Sequence, residues 1–176
     1  MKRFVLMGGM IAALGLAVVA ASAGAAVNFS GNWVLDKSKS QGLDQRMTNA
    51  ESVTCVITQD EKSLSIEWKV AGGQPPAGGG GGMGRGPAGP QTYTLDGKEA
   101  TAESMGGTNT TKATWSADGK TLELSSVRAG NFNGQDFKLT STDKLSLSED
   151  GKTLTIARHR ETPRGAQDST LVFNKQ

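Results

Sequence analysis

The chain is poor in the side chains that carry most metal and nucleophile chemistry: 176 residues hold one cysteine, Cys55, and one histidine, His159. A lone cysteine forms no internal disulfide, so the fold must hold without a covalent staple, and no cysteine cluster exists for a structural metal. A single histidine leaves no partner set for a His-based metal site or a catalytic triad. No excess of one charge is present either. Without Lys2 and Arg3 the 19 basic residues fall to 17, the number of acidic ones, so attraction to nucleic acid or anionic lipid has little to act on. Acidic residues are scattered, with no close inward pair for general acid and base work. Nothing calls for a cofactor: the Gly-rich run at 78–82 lacks the Lys-Ser/Thr ending of a phosphate loop and a helix to follow it.

The N-terminal segment, residues 1–26, has two basic residues, an apolar run from Phe4, and small residues offering A-x-A sites at Ala21 to Ala23 and Ala23 to Ala25. It reads as a secretory signal peptide of bacterial type, which places the mature chain in the periplasm or outside the cell with no membrane span after cleavage. The rival is an uncleaved anchor, since the run is long enough to cross a bilayer. Residues 27–176 then suffice for one domain with one core. Within it, residues 72–90 are mostly Gly and Pro and read as a disordered loop rather than a boundary. Met83 and Arg85 would allow that loop to tether a partner.

Runs of Thr, Ser, Val, Leu and Ile recur between Asp-Gly or similar turns, and no mature segment keeps a helical period, which predicts an all-β chain. Two-residue type I′ turns would fix the pairing. A turn at Asp118-Gly119 sets Trp115 opposite Leu122 and Ala113 opposite Leu124. One at Asp150-Gly151 sets Leu147 opposite Leu154 and Leu145 opposite Ile156. One at Asp60-Glu61 sets Ile57 opposite Leu64, Cys55 opposite Ile66 and Val53 opposite Trp68, and one at Asp96-Gly97 sets Tyr93 opposite Ala100. Every pairing keeps apolar side chains on one face, and a slip of one residue would reverse them all. With "SGNWVL" at the start and "DSTLVFNK" at the end the count reaches ten strands. An open meander would leave two long bare edges; closing the first strand onto the last removes them and gives an antiparallel up-and-down β-barrel of about eight to ten strands. Residues 36–51 leave room for a short helix with Leu43 and Met47 on one face.

Gly31-Asn32-Trp33 on the first strand of such a meander resembles the Gly-x-Trp signature of the lipocalins and fatty-acid-binding proteins, the calycins, and the chain as a whole looks like small exported bacterial proteins opening with that motif. The resemblance implies a tryptophan at the closed end of the barrel, with Gly31 and Trp33 as closing residues, and an interior that holds a small hydrophobic or amphiphilic molecule. It also implies a lid or large loop between the first two strands. The chain has Lys144 where lipocalins carry the tyrosine of a Thr-Asp-Tyr motif, and it lacks their disulfide and C-terminal helix.

The expected function is therefore non-catalytic binding of a hydrophobic or amphiphilic ligand, with entry near residues 36–51 or the Gly-rich loop. Small residues on strands five and six, among them Ala100, Ala102 and Ala113, leave room for a pocket, with Trp68, Trp115 and Tyr93 around it. The alternative is a filled barrel, packed by Trp68 and Trp115, acting in structure or protein interaction through its surface or loop. Inward parity on strand nine runs from Leu154 and Ile156 to Arg158 and Arg160. Asp143 stands opposite Arg158, whereas Arg160 faces only Ser141, so Arg160 is the candidate for an anionic head group. Inward arginines near the chain end serve that purpose in fatty-acid-binding proteins. The alternative puts both arginines in water at the rim. His159 faces outward between the two arginines, which would disfavour its protonated form. Cys55 is placed inward as an inert thiol. Oligomeric state is left open.

Overall fold

The computed structural model describes residues 26–72, 89–104, 107–132 and 134–176. The signal-peptide reading, apart from residue 26, and residues 73–88 of the Gly/Pro-rich loop, Met83 and Arg85 among them, fall outside them. Ten strands form one antiparallel sheet: β1 (Gly31–Leu35), β2 (Ser52–Gln59), β3 (Ser63–Ala71), β4 (Gln91–Thr94), β5 (Ala100–Ser104), β6 (Gly107–Trp115), β7 (Thr121–Phe132), β8 (Gln135–Leu147), β9 (Thr153–Thr162) and β10 (Gly165–Lys175). Their order is β4-β3-β2-β1-β10-β9-β8-β7-β6-β5. The first strand therefore pairs with the last, with Trp33 opposite Lys175 and Leu35 opposite Phe173. The result is the expected all-β up-and-down barrel, closed everywhere except between β4 and β5.

That seam corrects the second hairpin. Tyr93 does not pair with Ala100: β4 bonds only to β3, with Tyr93 opposite Leu64, and β5 only to β6, with Ala100 opposite Thr111. The Asp96-Gly97 turn opens into a wider loop because Leu95 N–H donates to Lys62 O, at 2.8 Å, and stays with β3 instead of turning back. The edge of β4 then rests against β6.

The third and fourth hairpins have the expected partners, Trp115 with Leu122 and Leu147 with Leu154, but through wider turns than type I′. In "SADGKT" the Gly119 N–H donates to Ser116 O at 2.9 Å, and Ser116 N–H donates to Thr121 O at 2.9 Å. In "SEDGKT" Gly151, Ser148 and Thr153 repeat both bonds. Each is a four-residue loop whose glycine takes the positive φ, +68° and +66°. The register survives because this loop is also centred on Asp-Gly. The first hairpin has no glycine. Asp60 Oδ1 accepts from Lys62 N–H and Ser63 N–H at 2.8 and 2.7 Å and moves the turn by one residue. Ile57 thus meets Ile66, Cys55 meets Trp68 and Val53 meets Val70. This slip of two residues keeps every side chain on its face.

The lower end of the barrel is packed with apolar side chains. Phe29, Trp33, Leu64, Leu122, Leu145, Leu154, Ile156 and Phe173 are fully buried. Trp33 Nε1–H donates to Phe29 O at 2.9 Å, so the one polar atom of the indole is satisfied. Lys175 from β10 lies over its ring at 5.1 Å. Gly31 is where this packing needs a glycine: its φ is +152°, and a Cβ there would sit 3.0 Å from Lys175 Cε and 3.4 Å from the indole nitrogen.

The upper end carries α1 (Gln45–Asn49), one turn long, within the segment expected to be helical. Asp44 caps it, accepting from Met47 N–H at 2.8 Å. Leu43 and Met47 both pack on the core, while Lys37 Nζ donates to Thr48 O and Ala50 O. Before the helix, Gln41 pairs with Thr170 and ties this segment to β10. Ala102, expected to face the interior, is exposed, because β5 is an edge strand with no neighbour beyond it.

Trp33→Ala is expected to destabilise the fold by about 3–5 kcal/mol, as for other buried aromatic truncations. Urea unfolding at constant m-value measures this, and a loss within the scatter of surface substitutions would remove the indole from the core.

Candidate ligand-binding site

Cross-strand register stacks the inner wall of β6 to β10 into rows. The lowest row to cross all five strands reads Trp115, Leu122, Leu145, Ile156, Leu171; the next reads Ala113, Leu124, Asp143, Arg158, Ser169. The third reads Thr111, Ser126, Ser141, Arg160, Gln167, and above it stand Asn109, Arg128 and Leu139. The wall thus changes from apolar to polar as it rises, because the alternation that places leucines inward on β7, β8 and β9 continues into serine and arginine.

The change falls at a buried ion pair. Arg158 donates from Nε to Asp143 Oδ1 at 2.8 Å and from Nη2 to Asp143 Oδ2 at 2.6 Å, a two-pronged contact. Arg158 is 6% exposed and Asp143 8%, so the rim reading is wrong for Arg158. Burial works against the charged guanidinium, but the attraction and hydrogen bonds of Asp143 outweigh it and raise the Arg158 pKa. The guanidinium also lies 4.8 Å over the Trp68 ring, whose other contact is Phe173 at 5.8 Å. Ser141 Oγ–H donates to Asp143 Oδ1 at 3.2 Å. Burial also pushes the Tyr93 phenol up and the Cys55 thiol up to about 12, leaving Cys55 protonated and inert.

Arg160 differs. It is half-buried in the third row, and it has no hydrogen-bond or ion-pair partner among the described residues. Burial, then the neighbouring Arg158, lower its pKa, and the more distant carboxylates of Asp143 and Asp44 offset this only in part. A water-sized recess of about 10 Å³ lies beside it, lined by Asp44, Met47, Gln167, Ser169 and Leu171. Gln167 Nε2–H donates to Gly42 O at 3.2 Å and links the wall to the α1 segment. Ser126, Ser141, Asn109 and Arg128 are likewise half-buried, whereas Thr111 in the third row and Phe137 above it are buried.

Of the sequence-predicted site residues, Arg158, Arg160, Trp68 and Tyr93 come together in the upper half. Ala113 sits in the second row, 1% exposed, and Ala100 borders Thr111 at the sheet edge. Trp115 does not join them: it lies at the lower end, stacked on Phe29 at 5.9 Å. Gly31 and Trp33 belong to the closed lower end. Arg128 is a further inward cation, 5.8 Å over Phe137. Parity from Leu122 and Leu124 reaches it, the same signal that reaches Arg158 from Leu154.

His159 reverses its expectation. Its outward neighbours are carboxylates, because Arg158 and Arg160 point through the opposite face. Nδ1 lies 2.7 Å from Asp168 Oδ1 and Nε2 lies 3.6 Å from Glu161 Oε1, and the hydrogen bond to Asp168 raises its pKa above the usual value. Beside it a shallow groove of about 430 Å³, lined by Thr142, Lys144 and Thr170 among others, crosses the outer face and is not the interior. Among the described residues no group of three or more His, Cys, Asp and Glu is arranged to hold a metal ion.

No protein-family model matches the sequence, and no curated protein matches it. Among solved structures, the zebrafish ileal bile acid-binding protein complexed with cholic acid is similar to this chain, with a TM-score of 0.41 and 10% identity over 84% of this chain and 98% of that one.

Asp143→Ala is expected to lower stability by about 3–5 kcal/mol, because Arg158 is left buried and unpaired, and Asp143→Leu combined with Arg158→Met is expected to recover most of it. Denaturant midpoints of the single and double variants check this. For His159 the raised pKa means that its contact with Asp168 is complete below the unfolded-state value and is lost as pH rises through the folded one. NMR titration should give a His159 pKa above about 6.5 that falls in Asp168→Asn.

Proposed function

We propose that this chain is an exported, non-catalytic binding barrel whose ligand is a small amphiphile, seated in the upper half with its anionic group on Arg160. One observation carries this reading: the Arg160 guanidinium lies half-sunk in the inner wall with no hydrogen bond or close ion pair among the described residues, Asp143 and Asp44 acting on it only at longer range, while Arg158 beside it holds Asp143 directly. A cation in that position gains most from an anion that enters with the ligand. The apolar part of the ligand has Met47, Val70 and Leu139 available on the half-buried upper surfaces, at roughly 25 cal/mol per Å² removed from water. Entry lies at the end covered by α1. Export rests on the N-terminal segment, whose Lys2, Arg3, apolar run and Ala-x-Ala sites have the form of a cleavable signal.

The competing reading, a filled barrel acting through its outer face, draws on the dense lower half, where Phe29, Trp33 and Phe173 leave no exposed surface, and on the recess beside Arg160, whose volume of about 10 Å³ is far below the roughly 300 Å³ of a pocket for a drug-sized ligand. The two readings part at Arg160. Removing one charge-assisted contact is worth about 1.5–3 kcal/mol, so Arg160→Gln should weaken decanoate binding roughly ten- to a hundredfold in calorimetric titration. Equal affinity for both proteins would place the anion elsewhere, and absence of binding to either would favour the filled barrel.

A further inference from the structure

The recess beside Arg160 has a size as well as a charge. Its volume of about 10 Å³ is the room that one water-sized atom needs. Met47 and Leu171 give it apolar sides, while Arg160, Gln167 and Ser169 bring hydrogen-bond donors to it. Arg158 also borders it, but that guanidinium is matched by the two-pronged contact with Asp143. Gln167 gives one Nε2–H to Gly42 O and has a second to give. Asp44 is the carboxylate on the lining; its Oδ1 accepts from Met47 N–H at 2.8 Å, and it acts on Arg160 only at longer range.

A half-buried guanidinium with no hydrogen bond or close ion pair among the described residues gains from an anion within reach. A carboxylate or sulfate is too large for the recess and meets Arg160 only on its exposed side. A monatomic anion enters the recess itself, and chloride is the one that aqueous media supply. Resting on the binding reading above, we infer that the recess is a chloride site, and that chloride held there by Arg160, Gln167 and Ser169 weakens the binding of an anionic amphiphile to the same guanidinium. Both anions draw on one cation, so each binds at the expense of the other, by the same factor in either direction.

The experiment follows the chlorine NMR line of chloride titrated onto the protein. Exchange with the site is expected to broaden the line, with a dissociation constant on the order of 10 mM. Arg160→Gln is expected to lose the broadening. Asp44→Asn, which can still cap α1 but carries no charge, is expected to tighten chloride about threefold. Decanoate titrated calorimetrically in about 0.1 M chloride should bind about fivefold more weakly than in gluconate of equal ionic strength, which separates occupancy from screening. In Arg160→Gln the two salts should give equal affinities, and circular dichroism shows whether each variant keeps its barrel. Broadening that survives Arg160→Gln would mean adventitious chloride on the surface and overturn the site. Decanoate bound through Arg160 with equal affinity in both salts, and no broadening that depends on Arg160, would overturn the chloride inference and leave the binding barrel standing. Broadening that depends on Arg160, with no decanoate bound in either salt, would support the chloride site and overturn the amphiphile reading.

Discussion

The pairing of β1 with β10 is the contact on which the rest of the structure depends. Without it the sheet would be an open ribbon with water on both faces, and the alternation of apolar and polar residues would bury nothing. With it, one face of every strand turns toward the same interior. Trp33 stands on that joint, opposite Lys175 on one side and Cys55 on the other. Its ring is covered by Lys175, its N–H is taken by Phe29, and Gly31 supplies the clearance. Closure and core are thus made by the same few residues.

A closed ring with short strands on one side and long ones on the other cannot be uniform from end to end. The strands β7 to β10 outrun β1, β4 and β5, so their upper inner faces have less wall opposite them. Most inward positions there are Ser, Asn, Gln and Arg, while Leu139 and Phe137 keep the upper wall of β8 apolar. The Asp143–Arg158 pair sits at the boundary, dry enough to need both partners and close enough to water that Arg160, one row higher, is only half covered. A buried pair of this kind is weak evidence for stability, since desolvation offsets much of the attraction. Its clearer consequence is geometric: it holds Trp68 and β9 in place below the polar row.

Much of this was legible in residue order. Period-two alternation placed Leu122, Leu124, Leu145, Leu154 and Ile156 on one face, and the same parity carried Arg158 to Asp143 and Arg160 to Ser141. The first hairpin slipped by two residues because Asp60, lacking a following glycine, gathered the turn around its own carboxylate. The second failed as a pairing because Leu95 remained bonded to Lys62. His159 was misjudged because its chain neighbours are arginines while its spatial neighbours on that face are Asp168 and Glu161. In a strand, adjacent residues are on opposite sides, and the nearest charges come from the residue two along, here Glu161, and from the next strand, here Asp168.

The sequence by itself determined which side of the sheet each residue would occupy, because a strand offers two faces and apolar side chains choose the dry one. Only the tertiary structure decided how deep each inward residue would lie. Depth depends on the stagger of ten strands around a ring, on the one seam between β4 and β5, and on the turn of helix over one end, none of which leaves a mark on local alternation. That is why Trp115 and Arg160, both inward by parity, finish at opposite ends of the barrel, one in the packed base and one at the wet wall.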